Sequence, residues 1–215
     1  MTVAADTVSV ARVFASALRG RPCVFLDADG VRAPLPIEAW LRDADHVDEQ
    51  LLALCDGPTV DIGCGPGRMA QALARTGRPV LGIDVVPEAI RLSLGRGVTA
   101  LLRDVFDPIP GEGRWGSALL ADGNIGIGGD PVALLERLRQ LVAPTGRVVV
   151  ELAPPGTGVQ TRHVRLETEV GRSEPFAWTL VGTDAITAVA AASGLEAVSH
   201  HRFGDRFGAV LAVAR

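Results

Sequence analysis

The chain of 215 residues has no lysine and no tyrosine; all 21 of its cationic side chains are arginine, a pattern of GC-rich coding. Without lysine there is no Schiff base, no anchor for pyridoxal phosphate and no Walker-type phosphate lysine. Without tyrosine, a short-chain reductase built on a Tyr/Lys pair is excluded. The three cysteines, Cys23, Cys55 and Cys64, are odd in number and form no CxxC pair, so neither a disulfide framework nor a metal site is expected. No apolar run approaches the ~18 residues that span a bilayer, and the first residues lack the basic start and cleavage pattern of a secretion signal. A cytoplasmic protein with no membrane partner is the expectation. The formal charge of −4 and a pI near 5.6, without any basic run, argue against a nucleic-acid partner.

Apolar residues make up 47 % of the chain and the mean hydropathy is +0.27, enough for a packed core. From Pro58 onward short apolar runs alternate with helical patterns. PTVDIG, PVLGIDV, VTALLRD, GSALLADG and GRVVVELA read as strands, the last as a run buried on both faces. GRMAQALART, PEAIRLSLG and PVALLERLRQLV read as helices. Pro87 stands in the first turn of the second, and Asp130-Pro131 start the third, which Pro144 to Gly146 end. Alternation of this kind predicts a doubly wound α/β fold with a Rossmann-like sheet. Residues 1–57 form a separate N-terminal cap of helix, hairpin (turning at Asp29-Gly30) and helix, ahead of a core over 58–215. An antiparallel pair folding about Gly171-Arg172-Ser173 is inserted in that core at about 158–181. Thr183 or Asp184 is expected to cap the following helix, and a hairpin at Gly204-Asp205 closes the chain.

The stretch TVDIGCGPGRMAQAL carries the chemistry. A strand ending in an acid, Asp61, crosses Gly63, Gly65 and Gly67 into a helix, placing backbone N–H groups at the carboxyl edge of the sheet, where open α/β sheets bind ligands. The spacing is G-x-G-x-G; a dinucleotide fold wants G-x-G-x-x-G, and Arg68 occupies its last place. Asp61 is unhelpful beside a pyrophosphate but suits a cation. A second acid, Asp84, ends the next strand at the spacing of about 20 residues from which a carboxylate accepts bonds from a ribose diol.

VDIGCGPG, followed by GIDVV, RDVFDPIP and LLADGNIGIGGDP, resembles the class I S-adenosylmethionine (SAM)-dependent methyltransferases, strongly over residues 57–153. The resemblance implies a seven-stranded sheet with an antiparallel last strand and SAM as cofactor, leaving as S-adenosyl-L-homocysteine. It implies that Asp61 with Gly63, Cys64, Gly65 and Gly67 holds the methionine portion. Asp84 would take the ribose and Val85 the adenine face. Asp104, Val105 and Phe106 would bind the adenine edge, and Asp122 would face the methyl donor. Cys64 is a small loop residue, not a nucleophile.

Two departures narrow the acceptor. Enzymes that methylate amino groups of bases or glutamine carry Asn/Asp-Pro-Pro-Tyr where this chain has Asp122-Gly123-Asn124-Ile125. Metal-dependent catechol-type relatives carry Asp-Asn where it has Glu151-Leu152-Ala153, so a catalytic magnesium is not expected. The final hairpin turn should lie at the cofactor edge, bringing His200 or His201, Arg202, Asp205 and Arg206 towards the pocket mouth. His163, His200, His201 and Asn124 are therefore the candidate catalytic groups. Asn124, Trp40, Arg202 and Arg206 are the candidate acceptor contacts, Trp40 and His46 lying in a segment that often forms a lid in this family. GNIGIGG should be either mobile or unusually tight.

The reading is a bacterial-type SAM-dependent methyltransferase, monomer or homodimer, acting on a small molecule, oxygen favoured over nitrogen or carbon as acceptor. Its rivals are a scaffold that binds SAM without transferring the methyl group, a protein that uses SAM in intramolecular cyclisation, and an NAD(P)-dependent reductase. The last is opposed by Asp61, the glycine spacing and the missing tyrosine and lysine.

Overall fold

The computed structural model describes residues 7–214, so residues 1–6 of the expected cap lie outside the described residues. In chain order the elements are β1 (Thr7–Val8), α1 (Val10–Leu18), β2 (Val24–Asp27), β3 (Arg32–Pro34), α2 (Ile37–Leu41), α3 (His46–Leu52), β4 (Thr59–Ile62), α4 (Arg68–Arg75), β5 (Val80–Asp84), α5 (Pro87–Gly95), β6 (Ala100–Leu102) and β7 (Trp115–Leu120). A 3₁₀ segment (Asn124–Gly129) leads into α6 (Pro131–Leu141), β8 (Val142–Leu152), β9 (Val159–Thr168), β10 (Gly171–Ser173), β11 (Phe176–Val181), α7 (Ile186–Ala192), β12 (Leu195–Phe203) and β13 (Arg206–Val213).

The main sheet has seven strands in the order β12-β13-β8-β7-β4-β5-β6. β4, β5, β6, β7 and β8 pair in parallel, and β13 runs antiparallel to both of its neighbours. Strand alternation sorts the core. Ala118, Leu120, Val148 and Val150 face one layer, with Leu134 and Leu138 of α6. Leu119 and Val149 face the other, with Leu51 of α3 and Met69 and Leu73 of α4. Both faces are therefore covered, as an apolar parallel sheet requires. Asp130 caps α6 by accepting from the Ala133 N–H at 3.0 Å, and Pro131 follows in the first turn.

Four local expectations change. α6 passes directly into β8 at Val142, so Pro144 to Gly146 sit inside a strand instead of ending a helix. β6 is only three residues long. Gly171–Ser173 is not a turn but a strand, pairing with β9 and β1, because the chain reverses earlier, at Glu169 and Val170. Neither Thr183 nor Asp184 caps α7. Asp184 accepts from the N–H groups of Gly156 at 3.1 Å and Gly158 at 3.2 Å, and so ties down the loop after β8.

A second sheet has six strands: β1-β10-β9-β2-β3, with β11 also on β9. The N-terminal hairpin thus adds directly to the inserted strands, Val24 opposite Glu167 and Leu26 opposite Arg165. Arg32 pairs with Glu167 across this seam, Arg172 holds Glu167 from its own side, and α1 covers the seam with Val13, Ala17 and Leu166 in a small core. β11 lies on the 3₁₀ segment so closely that a Cβ on Gly126 would stand 2.4 Å from the Thr179 carbonyl oxygen, and one on Gly129 2.4 Å from the Ala177 Cβ. The glycine run after β7 is tight because it is the seam between the two sheets.

Candidate functional site

β4 ends at Ile62, and the chain turns over Gly63, Gly65 and Gly67, at φ values of 67°, 54° and 86°. Only glycine adopts such backbone at low cost. Two of the three are also crowded: a Cβ on Gly63 would meet Asn124 Nδ2 at 2.8 Å, and one on Gly67 would meet Ser93 Oγ at 2.6 Å. Beside Gly65 nothing lies within 4 Å, so that side of the loop is open. Cys64 is buried against Gly82 and Ser93, and burial pushes its thiol well above the usual range.

Asp61 is buried beneath this loop, opposite Gly82 of β5 and Leu119 of β7. Its Oδ2 has no hydrogen-bond partner. Burial, with the nearby negative charge of Asp122, pushes its carboxyl up to about 7, against a downward pull from Arg68. Asp84, at the end of β5, accepts from the Gly65 N–H at 2.9 Å and from the Val86 N–H at 2.8 Å. Burial raises its carboxyl and these bonds oppose the rise. Asp104 is exposed and accepts from the Phe106 N–H at 3.0 Å. Val105 belongs to the main core, and its carbonyl accepts from Arg137 Nε at 2.9 Å. Val85, Leu102 and Phe106 leave 53 %, 53 % and 50 % of their surface uncovered along the β5–β6 edge. Leu102 was not singled out in the sequence, where it is one more residue of an apolar run.

Asp122 does not present a free carboxylate. It is the one non-glycine residue with positive φ (51°) among the described residues, and both its oxygens accept from Arg68 Nη2, at 2.7 and 2.6 Å. Its N–H donates to Glu151 Oε2 at 2.7 Å. Arg206 is likewise engaged, bidentate on Glu151 at 2.7 Å for each bond and on Asp48 at 2.5 Å. Asp48, fully buried in α3, also contacts Arg68 and Arg42. Burial alone would raise the Asp48 carboxyl; bonds from Arg68, the Asp45 backbone and Arg206 outweigh it and hold it well below the usual range. The spacing Asp48, Leu51, Leu52, Cys55 is the i, i+3, i+4, i+7 pattern of a buried face, which is the sequence signal for this acid.

Asn124 Nδ2 donates to the carbonyls of Ile62 at 2.9 Å and Gly63 at 3.0 Å, joining the turn after β7 to the glycine loop. The histidines are elsewhere. His163 is exposed on β9, opposite Ala177. His200 is exposed on β12. His201 stacks on Phe203 at 5.9 Å, bonds Ser199 at 2.8 Å and lines a shallow depression with Leu54 and Thr145, at the start of β8. Arg202 lies over the Phe207 ring at 5.6 Å and donates to the Gly204 carbonyl, so it serves its own hairpin. Trp40 packs near Phe14 of α1, 6.3 Å between rings. His201, Arg202 and Trp40 thus each pack against an aromatic ring.

A doubly wound sheet with a reversed last strand, an acid beneath a glycine loop and a second acid on the next strand define a nucleotide-type binding α/β protein. Residues 60–150 match the family model described as "Methyltransferase domain". The ubiquinone biosynthesis O-methyltransferase of Xylella fastidiosa is 29 % identical over 130 residues, 58 % of this chain and 52 % of that protein. The chain thus spans about half the length of the curated relative it matches. A SAM-dependent methyltransferase from Bacteroides fragilis, solved with S-adenosyl-L-homocysteine, superposes with a TM-score of 0.80 at 20 % identity, over 99 % of this chain and 98 % of that one. The 1,6-didemethyltoxoflavin-N1-methyltransferase of Burkholderia thailandensis gives 0.63 at 16 % identity, over 99 % and 94 %.

Proposed function

We propose that the protein transfers a methyl group from SAM to a small-molecule acceptor, with oxygen as the acceptor atom. The observation that carries this reading is Asp61: a buried carboxylate whose Oδ2 has no partner, beneath a glycine loop open at Gly65. An unpaired buried acid is costly unless a cation or a proton joins it. The ammonium group of a SAM methionine moiety is such a cation.

The other residues fit the same cofactor. Asp84 accepts two backbone bonds and keeps lone pairs for a ribose diol. Val85, Leu102 and Phe106 offer apolar surface to an adenine ring. Bound SAM supplies a methyl group on a positively charged sulfur and leaves as a neutral thioether. The chain supplies position and exclusion of water: the glycine loop fixes the donor, and the second sheet, seated on the segment after β7, covers the carboxyl edge. The division into a cap (1–57) and a core (58–215) belongs to this reading, as does a cytoplasmic monomer or homodimer. No helix among the described residues is long and apolar enough to cross a membrane. The curated relatives act as O-methyltransferases by name, which supports oxygen as acceptor.

Calorimetric titration with SAM, S-adenosyl-L-homocysteine and NADPH is the test. Micromolar binding of the first two, abolished in Asp84→Ala, supports the cofactor, and labelled-methyl transfer to hydroxylated rather than amino acceptors supports the atom. Binding of NADPH alone would overturn the reading.

A further inference from the structure

Among the described residues, the buried side-chain polar atoms without a hydrogen-bond partner belong to two residues: Asp61, through Oδ2, and Arg68, through Nε and Nη1. They carry opposite charges in the same cluster, close enough for Arg68 to pull on the Asp61 proton, yet they do not bond. A buried acid without a partner and a guanidinium with an unused Nε–H in the same cluster would ordinarily pair. Something holds them apart.

The restraint is visible on the guanidinium. Asp122 takes Nη2 with both oxygens, at 2.7 and 2.6 Å. Asp48 faces Nη1 in an ion pair. Asp48 reaches in from α3, outside the methyltransferase domain proper, and carries more than its capping role needs. Capping α3 uses one bond, from the Asp45 N–H at 3.0 Å. Beyond it, Asp48 meets Arg42 at 2.7 Å and Arg206 at 2.5 Å as well as Arg68. Arg206 is anchored in turn by Glu151, which also takes the Asp122 N–H. The set is closed and firmly seated, and it leaves Asp61 as the acid outside it.

We propose that Asp48 is a positioning residue that holds Arg68 away from Asp61, keeping the free oxygen of Asp61 for the cationic end of the cofactor. This rests on the cofactor reading above. Without the Asp48 charge, the guanidinium turns to the nearest unpaired buried anion, Asp61, and occupies the place the ligand's ammonium group would take.

Asp48→Asn keeps the shape and the capping oxygen and removes the charge. S-adenosyl-L-homocysteine, which retains the ammonium group, is the probe. Its affinity in the full chain should fall by about 10-fold or more, the weight of one charged hydrogen bond. Adding Arg68→Met should restore most of that loss, since the intruding cation is then gone; a rescue of this sign is a direct coupling between the two residues. Carbon-detected NMR of the ligand-free protein gives a second readout: the Asp61 carboxyl should titrate at lower pH in Asp48→Asn than in the parent. A loss that Arg68→Met leaves or deepens, with the Asp61 titration unmoved, would overturn the proposal and leave Asp48 as a fold element. Should Asp48→Asn fail to fold, Asp122→Asn frees the other guanidinium nitrogen and must show the same rescue by Arg68→Met; its absence overturns the proposal equally. If the parent binds no S-adenosyl-L-homocysteine but the Asp61 titration still shifts, the cofactor reading falls and the placement of Arg68 stands.

Discussion

Asn124 and Gly63 are joined across two loops: the Asn124 amide donates to the Gly63 carbonyl at 3.0 Å and to the Ile62 carbonyl at 2.9 Å. The contact leaves no room for a Cβ on Gly63. Asn124 therefore shapes the glycine loop from the segment after β7, whatever else it touches. Replacing it with alanine leaves two carbonyls short of a donor and should cost about 1–3 kcal/mol. Asn124→Asp should cost more, because a carboxylate then faces two carbonyl oxygens. Urea unfolding and S-adenosyl-L-homocysteine titration should both show this order; equal effects of the two variants would mean that the amide bonds contribute nothing.

Two glycines of the same loop should fail in different ways. Gly65→Ala meets no atom within 4 Å and suffers only its φ of 54°, a cost of about 1–2 kcal/mol. Gly67→Ala adds a clash with Ser93, whose Oγ would stand 2.6 Å away and whose backbone Cα 3.0 Å away, so α5 must shift, at about 1–3 kcal/mol more. Gly67→Ala should be the less stable. Gly65→Ala should keep most of its stability and lose ligand affinity, since its methyl group projects into the open side of the loop. Thermal melts beside calorimetry separate the two; normal ligand affinity in Gly65→Ala would place the ligand elsewhere.

The parallel strands, the glycine loop, Asp61 and Asp84 were legible because each rests on local pattern: apolar runs, turn residues and a strand ending in an acid. What was not legible rests on partners distant in sequence. Val24–Asp27 reads as half of a hairpin, and nothing nearby reveals that its other edge belongs to Val164–Glu167. Asp184 looks like a helix cap, and the N–H groups that claim it lie more than 20 residues earlier. Arg206 looks free at a hairpin turn, and only the fold brings Glu151 and Asp48 to it. Asp48 was not singled out either, although its spacing with Leu51, Leu52 and Cys55 puts it on the apolar face of α3. There the helical period outweighed the expectation that an acid faces water, because three arginines converge on it.

The histidines should be dispensable. His163→Ala and His200→Ala alter exposed positions and should leave kcat/KM within about twofold. His201→Ala loses a stacked aromatic contact worth about 0.5–1.5 kcal/mol of stability, again with turnover unchanged. A tenfold or larger fall in kcat from any one of the three, with normal stability, would restore it as the proton acceptor.

The Asp61 carboxyl makes the fold and the binding site respond to pH in opposite directions. Its folded value of about 7 lies above the unfolded value of about 3.9. A raised carboxyl contributes stability that is fully present below about pH 4 and is lost as pH rises towards 7. Asp84 and Asp122, both also raised by burial, add to the same trend. The ligand-free protein should therefore lose stability between about pH 5 and 7.5, and Asp61→Asn should flatten that slope. A cationic ligand reverses the preference, because it binds the ionised acid. Affinity for S-adenosyl-L-homocysteine should rise from pH 6 to about 7.5 and then level, and binding near pH 6.5 should release part of a proton. Calorimetry in buffers of different ionisation heat measures that proton directly, and Asp61→Asn should release none. An affinity flat across this range, with no proton released by the parent, would mean that the ligand's cation does not meet Asp61.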